Sequence, residues 1–415
     1  MSILIYTIIL RFYLLAIHIA AFFSTKAKQW ITGRSETHKR IKQHEFSAYK
    51  NCIWVHASSL GEFEQARPII ERIKKENPNQ QIVVSFFSPS GYEFRKNYPL
   101  ADAVIYLPFD TSSDIKLFID QLEPSIVCWI RYEFWFNTLN YIHQKNIPLY
   151  LISGSFRANQ LFFKWYGRFY VSILKLFTTL FIINHASIDL LKKIGITNVE
   201  LAADTRMDRV IEIASSNTLP TQLTAFLQDR KCVLVAGSTW QADIDILHPF
   251  INKQTEAVCI IAPHQIEEVH LQYIESKLTI PNIRFSQLGK KGSSFENIII
   301  IDNMGMLASL YRVGKYAYVG GGFGTSVHNV LEAIVYHQPV LFGPHHQKQY
   351  ECGVLIAQEI ATVVYTSKEI EDRIAEFETN HTAYEKTCAA AAQYVQSNSG
   401  GSDIIFRHIQ NRMKK

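Results

Sequence analysis

Two carboxylates stand where chemistry is expected. Glu62 follows a short apolar run and the small residues Ser58, Ser59 and Gly61, at the point where a strand turns into a helix. Glu133 holds the same place after a second apolar run, in the segment WIRYEFWFN at 129–137. A carboxylate at such a turn can face a ligand and do chemistry there. Glu62 also suits the ordinary role of an acid at a helix N-terminus, where the dipole favours a negative charge and keeps the group ionised. Glu133 has two readings as well. It is an interior acid in an ion pair among Tyr132, Phe134 and Trp135, or a second active-site acid near Glu62. Arg206, in AADTRMDRV at 202–210, offers a planar fork to an anionic group.

A different chemistry is written at 320–333, GGGFGTSVHNVLEA. A strand runs into Gly320, Gly321, Gly322 and Gly324, and a helix is expected from about His328. Glycines let the backbone approach a ligand, and a helix N-terminus presents N–H groups to a phosphate. Glu332 would then face the ribose hydroxyls of a nucleotide. A second glycine turn follows, LFGPHHQK at 341–348, and Ser238, Thr239 and His264 lie at two further strand ends. The acidic triplet Asp243-Ile244-Asp245 reads as a helix opening, where acids suit the dipole, rather than as a metal site. His345 and His346 are adjacent and diverge on a helix, and His264 and His270 have no cysteine nearby, so zinc is not expected. No cofactor is called for.

These residues need elements to hold them. From residue 45 on, continuous apolar runs alternate with segments of helical period, the pattern of parallel sheets covered on both faces. The rhythm pauses at 209–222, RVIEIASSNTLPTQ, and then resumes. The expected fold class is α/β, with two doubly wound Rossmann-like domains facing a cleft. One spans 45–208; a linker covers 209–222; the other spans 223–415, its last helix a candidate to return to the first domain. Ligands bind beyond the carboxyl ends of such strands. The chain of 415 residues is long enough for both domains, and its 47% hydrophobic and 19% charged composition is globular. A net charge of +5, spread along the chain, argues against a nucleic-acid protein and suits anionic ligands or an anionic membrane surface. Six cysteines without a C-x-x-C pair read as buried free thiols.

The stretch 2–23, SILIYTIILRFYLLAIHIAAFF, is nearly all apolar. As a helix it would cover roughly 30 Å, about a bilayer core. Arg11 and His18, seven apart, interrupt it on one face, so a helix lying in the interface competes with a spanning anchor. Ala20 and Ala21 hint at a cleaved signal peptide, but an A-x-A site is missing. Lys26, Lys28, Arg34, Lys39, Arg40 and Lys42 follow, which places the bulk of the chain on the cytoplasmic side. Residues 1–30 are therefore read as a membrane anchor or interfacial helix. A second basic aromatic stretch, LFFKWYGRFYVSILKLF at 161–177, suits headgroups or a core helix with snorkelling cations.

The motifs HASSLGE, SPSG, YLPFD, EFWFN, DTRMD, GSTW, MGM, GGGFG…HNVLEA and PVLFGPHHQ occur in that order. Together they resemble the 3-deoxy-D-manno-octulosonic acid (Kdo) transferases, bacterial glycosyltransferases of the GT-B fold. The resemblance covers essentially the whole chain. It implies transfer of Kdo from CMP-Kdo to a lipid A precursor in lipopolysaccharide synthesis, at the cytoplasmic face of the inner membrane. It implies Glu62 as general base, with Glu133 and Arg206 supporting the transition state. It implies that the CMP moiety meets Pro263 and His264, the turn Met304, Gly305 and Met306, and the run Asn329, Val330, Leu331 and Glu332. Gly321 and Gly322 are expected at the same ligand. Two positions depart from the family: His264 stands where an arginine is common, and Met306 where a glutamate is common. Sugar-nucleotide epimerases and non-catalytic nucleotide-binding proteins share such paired domains and form the alternative reading.

Overall fold

The structure, a computed structural model, describes residues 3–131, 133–216, 219–228, 230–289 and 296–413. Tyr132 lies outside them. The chain forms two compact units, residues 1–208 with 399–415, and residues 209–398.

The first unit is built on seven strands: β1 Ile53–Ala57, β2 Ile82–Phe86, β3 Ala103–Tyr106, β4 Ile126–Ile130, β5 Leu149–Gly154, β6 Thr179–Ile182 and β7 Val199–Leu201. All pairings are parallel, in the order β3-β2-β1-β4-β5-β6-β7. The strands β1 to β5 are buried at every position, because helices cover both faces and no residue can face water. The order reverses between β1 and β4, and the loops leaving those two strands diverge there. The second unit repeats the plan with β8 Cys232–Thr239, β9 Val258–Pro263, β10 Asn282–Arg284, β11 Ile298–Ile300, β12 Gly314–Val319, β13 Val340–Phe342 and β14 Ala361–Val363. Its order is β10-β11-β9-β8-β12-β13-β14, with the reversal between β8 and β12.

The expected linker at 209–222 is mostly helical. One helix runs Thr205–Ser216 and the next Thr221–Leu227. The pause in strand–helix rhythm marked two helices in succession, which polar composition disguised as a loop. The last helix, Gly401–Met413, buries Ile405, Phe406 and Ile409 in the first unit's core beside Phe63 and Ile70. All six cysteines are free, and all but Cys388 are buried.

The apolar N-terminus forms helix α1, Ile3–Ala20, followed by α2, Thr25–Lys42. Among the described residues no helix is long and apolar enough to cross a membrane. The helix α1 packs on the first unit through Tyr6 and Leu10. The Tyr6 hydroxyl donates to Asp110 at 2.5 Å and accepts from the Phe136 N–H at 3.0 Å. Asp110 also accepts from the backbone N–H groups of Asn137 and Thr138 at 2.9 and 2.8 Å. It thus satisfies the open N-terminus of the helix Phe136–Gln144 from outside that helix. The opposite side of α1 leaves Leu4, Ile8, Ile9, Phe12, Leu15 and Ile19 exposed, and the turn after it exposes Phe22 and Phe23.

Candidate active site

In the first unit, β1 delivers the chain to Ser58 and Ser59, and α3, Leu60–Glu76, begins at once. Ser59 is its N-cap, with the hydroxyl accepting from the Glu62 N–H at 3.4 Å. Glu62 therefore sits in the first turn. Pro68 stands inside the helix. The Glu62 carboxylate folds back to accept from the Ser58 N–H at 2.6 Å. A side chain at Gly61 would meet nothing within 4 Å, so the turn beside Glu62 is open to a bulky ligand.

The helix N-terminus does not dominate the charge on Glu62, which corrects the expectation of a readily ionised group. Burial and the neighbouring Glu133 raise it, against the Ser58 hydrogen bond and the Arg131 charge, to about 7. Glu133, from the loop after β4, is itself raised, chiefly by burial, while Ser58, Trp135 and Arg34 pull it down. The Trp129 indole donates to the Glu133 backbone carbonyl at 2.7 Å and fixes that loop. Glu62 and Glu133 follow adjacent strands at the sheet's switch point, and the Glu133 charge adds to the rise of Glu62. Like charges at close range push their proton affinities apart, as acid–base pairs require.

Arg206 is not an open fork. Asp204 grips it, with Nη2–Oδ2 at 2.8 Å and Nε–Oδ1 at 3.1 Å. Asp204 also binds Arg131 at 3.4 Å and Gln65 at 3.0 Å. Arg131 adopts φ of 56°, a left-handed backbone that is uncommon outside glycine and asparagine and clusters at functional strand ends. Sequence reasoning missed Arg131, Asp204 and Gln65. The signal was present in DTRMD, where an acid two residues before an arginine can pair with it.

In the second unit, the glycine-rich loop follows β12. The expected helix from His328 is a single turn, Leu331–Ile334, too short for a cumulative dipole. The Gly321 N–H, expected at a phosphate, donates to the buried Asp243 at 2.9 Å. Asp243 also accepts from the Trp240 N–H at 2.9 Å and the Tyr318 hydroxyl at 2.8 Å. Gly321 has φ of 89°, and a side chain at Gly322 would sit 2.6 Å from the Gly343 backbone. These glycines let two loops touch each other. Asp243 is therefore the loop's anchor. Replacing it by Asn should cost roughly 1–3 kcal/mol of stability, measured by melting. A smaller loss would show that the loop keeps its place without this carboxylate.

Trp240, His264 and His328 stack beside that loop. Ring centroids are 4.6 Å apart for Trp240–His264 and 4.4 Å for His264–His328. The Trp240 indole donates to His328 Nε2 at 2.9 Å, so that nitrogen is unprotonated, and burial with the His264 charge lowers His328 to about 4. His264 is exposed at the end of β9, directly after the buried Pro263. A cavity of about 450 Å³ opens beside them, lined by Trp240, Gln241, Gln265, Glu267 and His270. Met304 is exposed, Gly305 has φ of 92°, and Met306 caps the short helix Leu307–Leu310. Asn329 donates to Glu332 at 3.0 Å, and Val330 and Leu331 are buried. Among the expected donor residues, only His264 joins the stack. Trp240 and His328 were not foreseen as its partners.

Similarity to Kdo transferases supports a glycosyltransferase. Residues 32–209 match a family described as 3-deoxy-D-manno-octulosonic-acid transferase (kdotransferase). The chain is 27% identical over 355 residues to a 3-deoxy-D-manno-octulosonic acid transferase of Chlamydia trachomatis, covering 80% of each. It is 25% identical over 333 residues to the enzyme of the same name from Rickettsia prowazekii, covering 77% of this chain and 70% of that one. A bifunctional glycosyltransferase/methyltransferase of Fusobacterium nucleatum is 26% identical over 353 residues, and the chain spans 53% of its length. The resemblance to Kdo transferases read from the motifs holds across both units. Solved structures share the fold: a putative UDP-N-acetylglucosamine 2-epimerase from Listeria monocytogenes (TM-score 0.59, 11% identity, 88% of this chain and 97% of that one) and MurG from Acinetobacter baumannii (0.55, 12%, 87% and 99%).

Proposed function

We propose that this protein transfers Kdo from CMP-Kdo to a hydroxyl of a lipid A precursor, by single displacement with inversion, at the cytoplasmic face of the inner membrane. The observation that carries the reading is the Glu62–Glu133 pair at the switch point of the first unit. Glu62, near neutral in proton affinity and held by the Ser58 N–H, takes the acceptor's proton as the new C–O bond forms. Glu133 maintains the negative field that keeps Glu62 basic. The Arg131–Asp204–Arg206 cluster presents cations to the Kdo carboxylate or the departing phosphate. The glycine loop and the Trp240–His264–His328 stack belong to the cytidylate.

The exposed apolar side of α1 supports membrane attachment in the plane of the interface. Lys164, Trp165, Tyr166 and Arg168 add a basic aromatic patch, with Trp165 89% exposed. The purified protein, given CMP-Kdo and a lipid A precursor, should release CMP only when the lipid is present. It should also float with anionic vesicles and lose that property on replacement of Phe12, Leu15 and Ile19 by Ser. CMP release independent of lipid, or conversion of a sugar nucleotide without an acceptor, would favour the epimerase reading.

A further inference from the structure

Two buried side chains of α2 hold hydrogen-bond donors without partners. Arg34 is 7% exposed, and Trp30, one turn earlier, is 6% exposed. The Arg34 guanidinium carbon sits 3.6 Å from the Trp30 ring centroid and 4.5 Å from that of Phe87. Nη2 donates to the Phe87 carbonyl at 3.0 Å. Arg34 Nε and Nη1 and the Trp30 indole N–H meet no acceptor among the described residues. Burial lowers Arg34 to about 9, which leaves it charged at neutral pH. Ring faces offset part of the cost of burying that charge. An unpaired cation beside an unpaired indole, both out of water, suits a bound acceptor that carries negative charge.

Both side chains line a cavity of about 320 Å³ in the first unit. That volume lies at the small end of ligand pockets, roughly 300–1,000 Å³. Leu14 from α1, Ile31 from α2 and Phe109 from the loop after β3 give it apolar walls. His18, Ser35 and Lys39, all exposed residues, add polar groups. His38 and Asp114 line it too, and they lie 3.4 Å from each other. Asp114, the one acid among the described lining residues, is thus already engaged, and Arg34 and Lys39 leave a positive surplus.

The cavity borders the bare side of α1. Leu14 and His18 line it, while their sequence neighbours Leu15 and Ile19 are exposed, as are Phe22 and Phe23 in the next turn. One helix therefore carries an apolar surface suited to acyl chains and, a residue away, the wall of a cationic cavity. Resting on the reading that α1 lies in the plane of the membrane interface, we propose that this cavity binds the headgroup of an anionic lipid. The headgroup phosphate compensates Arg34 and Lys39, and the glycerol end lies against Leu14, Ile31 and Phe109. The guanidinium charge is delocalised, so a phosphate in the cavity offsets it without reaching the two covered nitrogens. A free phosphate shares the charge and lacks the apolar contacts, so it binds more weakly. Attachment by α1 alone depends on apolar area; this site adds a preference for negative headgroups.

The test is calorimetry of the full-length protein with monomeric dihexanoylphosphatidylglycerol, with dihexanoylphosphatidylcholine and with inorganic phosphate. The nitrogen-15 signal of the Trp30 indole, assigned by Trp30→Phe, is followed alongside. The phosphatidylglycerol should bind saturably and move that signal, with the other two probes at least about tenfold weaker. Arg34→Gln and Lys39→Gln should each weaken it about tenfold, the loss of one charge-assisted contact. Leu14→Trp, which fills the cavity without touching a charge, should abolish binding. Lys39 is exposed, so its variant decides the matter should Arg34→Gln fail to fold. Absence of saturable binding, or binding that leaves the Trp30 signal unmoved, overturns the proposal; a parent that still floats with anionic vesicles then keeps attachment through α1 standing. Equal affinity for inorganic phosphate overturns the lipid headgroup and marks a site for soluble anions. A parent that does not float removes the interfacial reading, and the lipid site falls with it.

Discussion

Glu62→Gln is expected to leave a folded protein that binds CMP but transfers Kdo about 100-fold to 10,000-fold more slowly, the range removed with a general base. The amide keeps the shape of the carboxyl group and loses its ability to accept a proton. In the parent, kcat should rise with pH through about 7, because Glu62 must be ionised to act and burial beside Glu133 delays its ionisation to that point. The stability sign runs the other way. A carboxyl with a raised folded-state value contributes stability below its ordinary value of 4.5, and that contribution is lost as pH climbs through about 7. The neutral amide escapes this loss, so the variant should melt no lower than the parent at pH 8. Near-parental turnover would remove Glu62 from the mechanism, and a large drop in melting temperature would mark it as structural.

Asp204→Ala should have the largest effect on stability, about 3–5 kcal/mol by urea unfolding, with transfer lost as well. Burial alone would raise Asp204, yet Arg206 and Arg131 overcome it and hold the carboxyl well below its usual range. Deleting it removes a carboxylate that two guanidinium groups and Gln65 share. The parent's stability from this carboxylate is complete above pH 4 and is lost as pH falls through the depressed value. The variant should show a flatter acid limb of stability. A cost below about 1 kcal/mol would show that the arginines find other partners.

The fold was legible because nothing else explains its strands. Runs such as CIWVHAS and QIVVSFF are too continuously apolar for a one-sided sheet and too short for buried helices. Glu62 and Glu133 were legible for the same reason, since a polar residue directly after such a run lies at the sheet's carboxyl edge. What the sequence hid was pairing. Asp243 read as a helix opening, and Asp110 and Asp204 stood only inside motifs, yet each binds groups far away in sequence, such as Gly321 at a distance of 78 residues and Thr138 at 28. Glu62's charge state was misjudged because the helix dipole is local and visible, whereas burial beside Glu133 depends on two loops 71 positions apart. Arg34 sat among basic residues that read as a charge flank, and only the packing of Trp30 and Phe87 separates it from them.

The crossing points between the units have a consequence for synthesis and for engineering. Asp208 accepts from the Gly400 and Ser402 N–H groups at 2.6 and 2.7 Å, so the exit and re-entry of the chain are stitched side by side. Residues 209–398 are thus an insertion in the topological sense, and a short glycine-serine bridge from 208 to 399 should yield a shortened protein that still folds. The same stitch bears on the nascent chain: the amino-terminal body lacks Ile405, Phe406 and Ile409 until residues 209–398 have been made.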